Sequence, residues 1–335
     1  MLYEFLNIVY PDLQLFDYIS FRAVLAFITA LITSFLIGSK IIRTLKAHCI
    51  SEVVRQNGPE SHLKKEGTPT MGGIIILLSV ILPTVLWADI NNFYIQIVLI
   101  ATIVMGFTGL LDDYLKVVKN YSKGLVARYK IIVQVFLGVF VAIMVINNNQ
   151  NQNFFHRSDV LKEVDLNPLE REFVNQEFNI SNTEISIPFF PDKRFSFIKK
   201  MEKKINSSNM ESQLFDLHNK IPRGSLEIGF LLILLSVFVI SGSSNAINLT
   251  DGLDGLATGL SIIVFFGLGT IAYSSGNSNF SAYLNITYIN GAGELTIFCM
   301  SMVGACLGFL WYNSHPAEIF MGDTGSLSLG GSLGA

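Results

Sequence analysis

The stretch INNFYIQIVLIATIVMGFTGLLDDYLK, residues 90–116, decides the fold class of this chain. Its first part, Ile90–Leu111, has no charged residue and meets the requirement of roughly 17–25 residues for a helix that spans a bilayer. Asp112 and Asp113 follow at once. Carboxylates beside a bilayer are costly and are rarely kept there without a function. The stretch therefore predicts a membrane helix that ends in a functional acidic pair.

The rest of the chain supports a polytopic membrane protein. Of the 335 residues, 50% are hydrophobic and 15% are charged, whereas a typical soluble domain is about 25% charged. We predict an all-α fold with seven membrane helices and the start of an eighth at Ser326. Because that segment stops at Ala335, we expect a piece of a longer chain. The seven predicted spans are Ala23–Ser39, Met71–Ala88, Ile90–Leu111, Ile131–Ile146, Ile228–Ile247, Leu256–Tyr273 and Leu295–Asn313.

The distribution of lysine and arginine predicts the orientation. These residues are concentrated in the loops Ile41–Thr70 and Asp112–Lys130, and they are absent from the short loops on the other side of the membrane. The positive-inside rule places the two basic loops in the cytoplasm. Alternation of the spans then places the loops Asn248–Asp254 and Asn313–Thr324 on the same cytoplasmic face.

Three regions follow from this reading of the chain. Residues 1–146 hold helices one to four with their cytoplasmic loops, 147–227 form an external polar insertion, and 228–335 hold helices five to eight. The lysines of the insertion do not conflict with this orientation, because long loops are translocated largely regardless of their charge. We assign no chemistry to the insertion. No basic stripe with interleaved aromatic residues is present, which argues against a nucleic-acid partner.

The acidic pair is the first candidate catalytic element. Neighbouring helical residues point about 100° apart, so Asp112 and Asp113 are expected to have different roles. Lys116 lies one turn further on. One carboxylate would help to place a divalent cation, and the other would accept a proton from a nucleophile. The alternative is an interfacial Asp–Lys pair that only marks the end of a helix.

The stretch NAINLTDGLDG, residues 245–255, is a more specific motif. Asn248, Asp251 and Asp254 can offer oxygens to a metal, or hydrogen-bond acceptors to a ribose and a base. The stretch is not an EF-hand loop, which needs more oxygen ligands at alternating positions. The alternative is a structural Asp-Gly turn at a helix junction.

The stretch FMGDTG, residues 320–325, precedes the eighth predicted span. Asp323 between glycines suits a magnesium ligand, and the Phe320 ring suits stacking on a planar base. The alternative is that Asp323 is a helix N-cap. Asn313 and His315 lie just upstream, and for lack of a defined partner we interpret His315 as structural rather than catalytic.

The stretch KEGTPTMGG, residues 65–73, leads into the second predicted span. Its backbone N–H groups lie at the positive end of a helix dipole, where we expect them to attract an anion. Lys65 would reinforce that site as a positive charge on a phosphate. The order of residues is not that of a Walker loop.

Together, these motifs resemble the phospho-N-acetylmuramoyl-pentapeptide transferases, a branch of the polyprenyl-phosphate N-acetylhexosamine-1-phosphate transferases. The resemblance covers the chain except 147–227 and rests on TPTMGG, DDYLK and NLTDGLDGLA. Sibling enzymes that use UDP-N-acetylglucosamine tend to have an acidic residue where Lys116 stands.

The resemblance implies a fold of about ten membrane helices in a bacterial cytoplasmic (inner) membrane, with the active site facing the cytoplasm. It implies Mg²⁺-dependent transfer of phospho-MurNAc-pentapeptide from UDP-MurNAc-pentapeptide to undecaprenyl phosphate, giving lipid I and UMP. Asp323 would be the metal ligand, and Asp112, Asp113 and Lys116 would be catalytic. A homodimer is a further expectation. Residues that match the substrate site are Lys65, Thr70, Asn248, Asp251, Asp254, Asn313 and Phe320.

Three other functions fit parts of the sequence. The sibling UDP-N-acetylglucosamine transferases share most of the motifs, so a test with both donors is needed to separate the two branches. A CDP-alcohol phosphotransferase also uses aspartates and magnesium, but its D-G-x-x-A-R signature is missing after Asp251-Gly252. A transporter would place its carboxylates in the middle of the spans rather than at one interface. For the transferase, the sequence leaves a one-step and a two-step mechanism open.

Overall fold

The computed structural model of the chain describes residues 14–47, 68–119, 121, 124–148, 184–187, 190–196, 225–284, 286 and 288–335. The chain divides into two compact units. One consists of Met1–Gly138 and Phe238–Ala335, and the other of Val139–Val237. Lys65 and most of the predicted insertion lie outside the described residues.

The described part of the chain is built from α-helices. Six of them are long and apolar enough to cross a membrane, so the predicted multi-pass all-α fold is confirmed. The helices are α1 Ile19–Ala47, α2 Gly73–Trp87, α3 Phe93–Val117, α4 Ala127–Asn147, α5 Ser225–Thr250, α6 Leu256–Ser275, α7 Ser278–Leu284, α8 Glu294–Asn313 and α9 Gly322–Gly334.

Two details differ from the predicted elements. Helix α2 has 15 residues and begins at Gly73, because the residues before it pair with the backbone just before α9 instead of extending the helix. In the second unit, strands β1 (Glu184–Ile187) and β2 (Phe190–Ser196) form an antiparallel hairpin within the predicted insertion.

Small residues allow the helices around the site to approach closely. A Cβ atom on Gly73 of α2 would collide with the backbone of Gly325 in α9. A Cβ atom on Gly109 of α3 would collide with the carbonyl of Asp323. Small residues at such contacts are typical of membrane helices, where packing rather than hydrophobic burial drives association. This packing places the first turn of α9 directly against the last turns of α3.

A buried ion pair joins three helices at the end of the bundle opposite the acidic motifs. Arg22 of α1 binds both carboxylate oxygens of Glu294 at the start of α8, at 2.6 and 3.1 Å. Its guanidinium also donates to the carbonyl of Trp87 at the end of α2, at 3.1 Å. The backbone N–H of Asp89 donates to the same Glu294 carboxylate at 2.9 Å. The pair therefore fixes the ends of α1, α2 and α8 relative to one another.

Candidate active site

Three carboxylates from two distant parts of the sequence meet in one place. Asp112 and Asp113 lie near the end of α3, and Asp323 is the second residue of α9. One oxygen from each side chain lies within 4.8 Å of the others. Asp112 and Asp113 are 0% and 3% exposed, so the cluster lies inside the protein at the end of the helices.

Asp113 caps the helix that contains Asp323. Its Oδ1 accepts the backbone N–H of Asp323 at 3.0 Å, and its Oδ2 accepts the N–H of Thr324 at 2.9 Å. The Thr324 hydroxyl also donates to Oδ2, at 2.6 Å. The alternative that Asp323 is itself the N-cap is wrong, because the N-cap is Met321. Asp323 lies inside the first turn of the helix, where its own backbone N–H needs a hydrogen-bond acceptor.

Asp112 has a different set of partners, in line with the expected division of roles. Its Oδ1 accepts the backbone N–H of Leu125 at 2.6 Å, and its Oδ2 lies 2.5 Å from the Lys116 ammonium. Gly124, with φ +58°, lets the loop between α3 and α4 approach this carboxylate, since a Cβ there would lie 2.6 Å from Oδ1. Asp112 is therefore held by a loop and a lysine, whereas Asp113 is bound to a helix end.

Two lysines connect Asp112 with Asp323. The Lys116 ammonium lies 3.1 Å from Oδ2 of Asp323. The Lys130 ammonium, from the first turn of α4, lies 2.5 Å from the same oxygen and 3.2 Å from Oδ2 of Asp112. Two cations thus bridge two carboxylates in a partly buried space, an arrangement suited to binding a phosphate group.

The surroundings of Asp323 keep it ionised. Burial by itself disfavours the charged form, but a hydrogen bond with Asp112 and the charges of Lys116 and Lys130 outweigh it. The pKa of Asp323 is therefore below its ordinary value. An ionised carboxylate at this position is able to bind a cation throughout the neutral pH range.

The segment before α2 pairs with the segment before α9. Phe320 N–H donates to the carbonyl of Pro69 at 2.9 Å, and the N–H groups of Gly72 and Gly73 donate to the carbonyls of Phe320 and Met321 at 2.9 and 2.8 Å. Two of the N–H groups in the motif that was expected to attract an anion, those of Gly72 and Gly73, are therefore bonded within the protein instead.

Thr70 lies beside the carboxylate cluster as a result of that pairing. Its side chain is 5% exposed. Gly322, with φ +72°, leaves the space between Thr70 and Asp113, because a Cβ there would lie 2.7 Å from Asp113 Oδ2 and 3.1 Å from Thr70 Oγ1. Any larger residue at 322 would separate these two side chains.

The remaining predicted residues lie in two loops that meet at the same end. Asn248, in the last turns of α5, donates from its amide to Oδ1 of Asp323 at 3.2 Å. Residues 251–255 form a turn between α5 and α6. This is the backbone conformation of a structural Asp-Gly turn at a helix junction, the alternative interpretation of the motif. Asp251 is half-buried in that turn. Asp254 lies 3.0 Å from the imidazole Nδ1 of His315, so His315 has the partner that the sequence did not reveal.

Asn313 fixes the two loops to each other. Its Oδ1 accepts the N–H of Gly255 and the hydroxyl of Thr258, both at 3.1 Å, and its Nδ2 donates to the carbonyl of Ile319 at 2.9 Å. The side chain is 3% exposed. Its amide is thus used in bonds within the protein, which gives Asn313 a role in holding the loops.

Comparison with known proteins gives two family matches and several similar relatives. Residues 65–77 match the phospho-N-acetylmuramoyl-pentapeptide-transferase signature 1, and residues 200–335 match the family model described as glycosyl transferase family 4. The chain is similar to the phospho-N-acetylmuramoyl-pentapeptide-transferase of Azobacteroides pseudotrichonymphae, with 41% identity over 323 residues, 96% of this chain and 72% of that relative.

Two further relatives of the same name give a similar result. That of Porphyromonas gingivalis is 42% identical over 96% of this chain and 72% of its own length. That of Thermodesulfovibrio yellowstonii is 40% identical over 100% of this chain and 77% of its own length. The chain belongs to the phospho-N-acetylmuramoyl-pentapeptide transferase family. It is accordingly a multi-pass membrane transferase of peptidoglycan biosynthesis, of the glycosyl-1-phosphate type.

For a transferase of this family, the donor set at the cluster fits a divalent metal. Carboxylate oxygens are the ligands that hard divalent cations prefer, and three such groups converge here. Asp323 is the most accessible of the three, with a side chain that is 15% exposed. Asp113 already accepts three hydrogen bonds, which leaves it the least free to ligate a metal.

Lys130 is the transferase residue that sequence reasoning missed. In the sequence it is one of several cations in the basic loop Asp112–Lys130, which predicts the orientation of the chain in the membrane. One signal was available: it lies three residues inside an apolar helix whose predecessor ends in the acidic pair. A short connection between two antiparallel helices returns such a residue to the level of that pair.

The hydroxyl of Thr324 offers a test of the capping by Asp113. Thr324→Val removes the 2.6 Å bond to Asp113 but retains the shape of the side chain. We expect the free energy of unfolding to fall by about 1.5–3 kcal/mol, the usual value of a hydrogen bond to a charged group. Thr324→Ser retains the hydroxyl and serves as the matched control. Thermal unfolding in detergent measures the stability of both variants. Equal stability would contradict a stabilising hydrogen bond from the Thr324 hydroxyl to Asp113.

Proposed function

We propose that the chain transfers phospho-MurNAc-pentapeptide from UDP-MurNAc-pentapeptide to undecaprenyl phosphate, giving lipid I and UMP. We place the reaction at the cytoplasmic face of the bacterial inner membrane. The observation that supports the proposal most directly is the meeting of Asp112, Asp323, Lys116 and Lys130 beside the loops that match the family. This arrangement supplies both signs of charge that phosphoryl transfer between two phosphates requires.

The donor would bind where the loops meet the carboxylate cluster. Asn248 already contacts Asp323, and Thr70 lies beside Gly322, so both are placed to bind the diphosphate side of the donor. Asp251 and Asp254 lie in the adjoining turn, where carboxylates suit the hydroxyl and N–H groups of a ribose and a base. We propose that the ring of Phe320, whose backbone is bonded to Pro69 and Gly72, stacks on the base. Lys65, outside the described residues, remains a proposed phosphate contact.

We propose that Asp323 is the principal ligand of a Mg²⁺ ion, with Asp112 beside it. When bound, the ion neutralises charge on the diphosphate and on the departing UMP. Asn248 and the two lysines orient the Asp323 carboxylate. Asp113 acts indirectly. Its hydrogen bonds to the backbone N–H groups of Asp323 and Thr324 hold the first turn of α9, from which the Asp323 side chain projects.

The reaction that fits this site is a direct displacement. An oxygen of the acceptor phosphate attacks the phosphorus of the phosphate that is attached to MurNAc. The bond from that phosphorus to the oxygen that bridges the two phosphates breaks. UMP leaves with the bridging oxygen. Asp112 is placed to accept a proton from the acceptor, although a second phosphate pKa near 6 makes this need modest. Lys116 and Lys130 stabilise the negative charge that collects between the two phosphates.

A two-step route would need one of the carboxylates as the nucleophile. Asp113 is poorly suited, because both of its oxygens are bonded to the end of α9. That route would therefore fall to Asp112 or Asp323. Trapping of a phosphorylated aspartate in the absence of acceptor would support it over direct displacement.

Lys130 should be required for turnover. Lys130→Gln removes one of two cations that contact both Asp112 and Asp323, and we expect kcat to fall about 10²-fold, as for loss of one preorganised electrostatic contact. Arg128, exposed and two residues earlier in α4, is the matched control, since Arg128→Gln removes the same charge outside the cluster. UMP release measures both, and equal rates in the two variants would contradict a role for Lys130.

The proposed function is tested by UMP release from the purified protein in detergent with magnesium and undecaprenyl phosphate. Parallel reactions contain UDP-MurNAc-pentapeptide or UDP-N-acetylglucosamine as the donor. Release with the muramoyl donor alone is the expected result. Release with the other donor alone would transfer the chain to the sibling branch, and release with neither donor would contradict the proposal.

A further inference from the structure

Three polar side chains of α4 and α5 meet beneath the carboxylate cluster. Gln134 of α4 and Ser244 of α5 are both 0% exposed, and Asn245 follows Ser244 in the chain. Both helices are long and apolar enough to cross a membrane. Between such helices, hydrogen bonds of polar side chains join one helix to the next. These three residues are therefore placed to fix α4 against α5.

The amides of Gln134 and Asn245 bond to each other in both directions. Gln134 Nε2 donates to Asn245 Oδ1 at 3.4 Å, and Asn245 Nδ2 donates to Gln134 Oε1 at 3.2 Å. Gln134 Nε2 has a second acceptor in the Ser244 hydroxyl, at 3.3 Å. Asn245 Nδ2 has one in the carbonyl of Ser241, at 2.8 Å. A primary amide has two N–H groups and one carbonyl oxygen, so this pairing uses both sides of each group.

Helix α5 is itself fixed to α9, the helix that contains Asp323. The Ser243 hydroxyl donates to the carbonyl of Gly330 at 2.7 Å. A Cβ atom on Gly330 would collide with the backbone of Ser244, so the two helices are in close contact at this point. A bond from α4 to α5 therefore also sets the position of α4 relative to Asp323.

Lys130 lies one turn from Gln134 on the same face of α4. The two residues are four positions apart, which is about 6 Å along the helix axis. The Lys130 ammonium lies 2.5 Å from Oδ2 of Asp323 and 3.2 Å from Oδ2 of Asp112, both on other helices. The lysine stem is flexible, so the position of α4 decides whether the ammonium stays between the two carboxylates.

We propose that Gln134 is a positioning residue for the reaction, with Asn245 as its partner. The amide pair holds the first turns of α4 so that the Lys130 ammonium stays between Asp112 and Asp323. The proposal rests on the proposed function, and it adds the pair that places one of its cations. A pair that only stabilised the fold would not change the rate of the folded protein. Misplacement of a reacting group by about 1 Å costs up to about 10²-fold in rate.

Acetylation of lysine tests the position of Lys130 without requiring turnover. The protein in detergent is treated with acetic anhydride, and mass spectrometry gives the rate at Lys130 relative to that at the exposed Lys119. The Lys130 side chain is 19% exposed and held between two carboxylates, which protects it from the reagent. We expect Gln134→Met to raise the relative rate severalfold. An unchanged relative rate would overturn the proposal.

UMP release tests the effect of the pair on the reaction. Gln134→Met retains the length of the side chain but removes the amide, and we expect kcat to fall about tenfold with the donor KM within about twofold. Gln96→Met is the matched control. The Gln96 amide donates to the carbonyl of Ile90 at the other end of α3, so its loss should leave kcat unchanged.

An exchange of the two amides tests their pairing. Gln134→Asn combined with Asn245→Gln retains both amides and their combined length, so it should recover most of the rate and the protection of Lys130. A rate no higher than that of Gln134→Met would contradict the pairing.

A double-variant cycle tests whether the pair acts through Lys130. In the Lys130→Gln background no ammonium is left to position, so Gln134→Met should lower kcat by less than about twofold more. A further tenfold loss there, or lower thermal stability with an unchanged kcat of the folded protein, would overturn the proposal. If the unaltered protein releases no UMP, the proposed function fails, and acetylation of Lys130 still decides whether the pair places this side chain.

Discussion

Replacing Asp323 with asparagine should abolish nearly all turnover. The substitution retains the size of the side chain and a hydrogen-bond partner for Asn248, but it removes the charge that Lys116, Lys130 and the proposed Mg²⁺ share. A metal contributes several kcal/mol of transition-state stabilisation, and each 1.36 kcal/mol corresponds to a tenfold change in rate. We therefore expect kcat to fall by at least about 10³-fold in UMP release, at every magnesium concentration tested.

The control for this prediction lies in the loop that precedes α9. Glu318 is an exposed carboxylate five residues before Asp323, and Glu318→Gln removes the same charge away from the cluster. It should leave kcat within about twofold. A rate close to normal in Asp323→Asn, or full recovery at high magnesium, would contradict the proposed metal ligand. Thermal unfolding of both variants distinguishes loss of chemistry from loss of the fold.

Breaking the Arg22–Glu294 pair should cause the largest loss of stability. Arg22 is 5% exposed and Glu294 9%, and removal of either leaves the other charge buried without its partner. Removal of one partner of a buried ion pair costs about 3–5 kcal/mol. Both Arg22→Leu and Glu294→Leu should lower the free energy of unfolding by this amount, measured by thermal or denaturant unfolding in detergent.

The double variant is the control for that prediction. Arg22→Leu with Glu294→Leu removes both charges, so its loss should be clearly smaller than the sum of the two single losses. Additive losses would mean that the two side chains do not stabilise the protein as a pair. Because the pair lies at the end opposite the carboxylate cluster, the surviving folded fraction of each variant should retain its donor KM.

The pairing of Asp113 with α9 changes how the acidic pair is understood. Two neighbouring carboxylates at a membrane interface suggest two catalytic groups, and both were predicted as such. In the structure, Asp113 supports the helix end from which Asp323 projects, whereas Asp112 contacts the lysines. Loss of activity on substitution of Asp113 would therefore report the position of Asp323 as well as any direct role.

The sequence alone was sufficient for six of the seven predicted membrane helices. A span such as Ile90–Leu111 depends on local hydrophobic length, which the bilayer selects without reference to the rest of the chain. The structure has this span, from Phe93 onward, within α3 and brings together the predicted residues Thr70, Asp112, Asp113, Asn248 and Asp323. Orientation from basic loops is likewise a local property, and it placed these motifs on one side before any contact was known.

Only the tertiary structure decided what each polar group contacts. In the sequence Lys130 is one cation among several, and the structure places it beside Asp112 and Asp323. Asn313 was predicted to lie at the substrate site, and the structure shows that its amide also joins two loops. The N–H groups of Gly72 and Gly73 were expected to bind an anion, but they are bonded to residues some 250 positions away. These outcomes depend on how helices distant in sequence pack together. A hydrogen bond has a short reach and a strict geometry, so no local pattern specifies its partner.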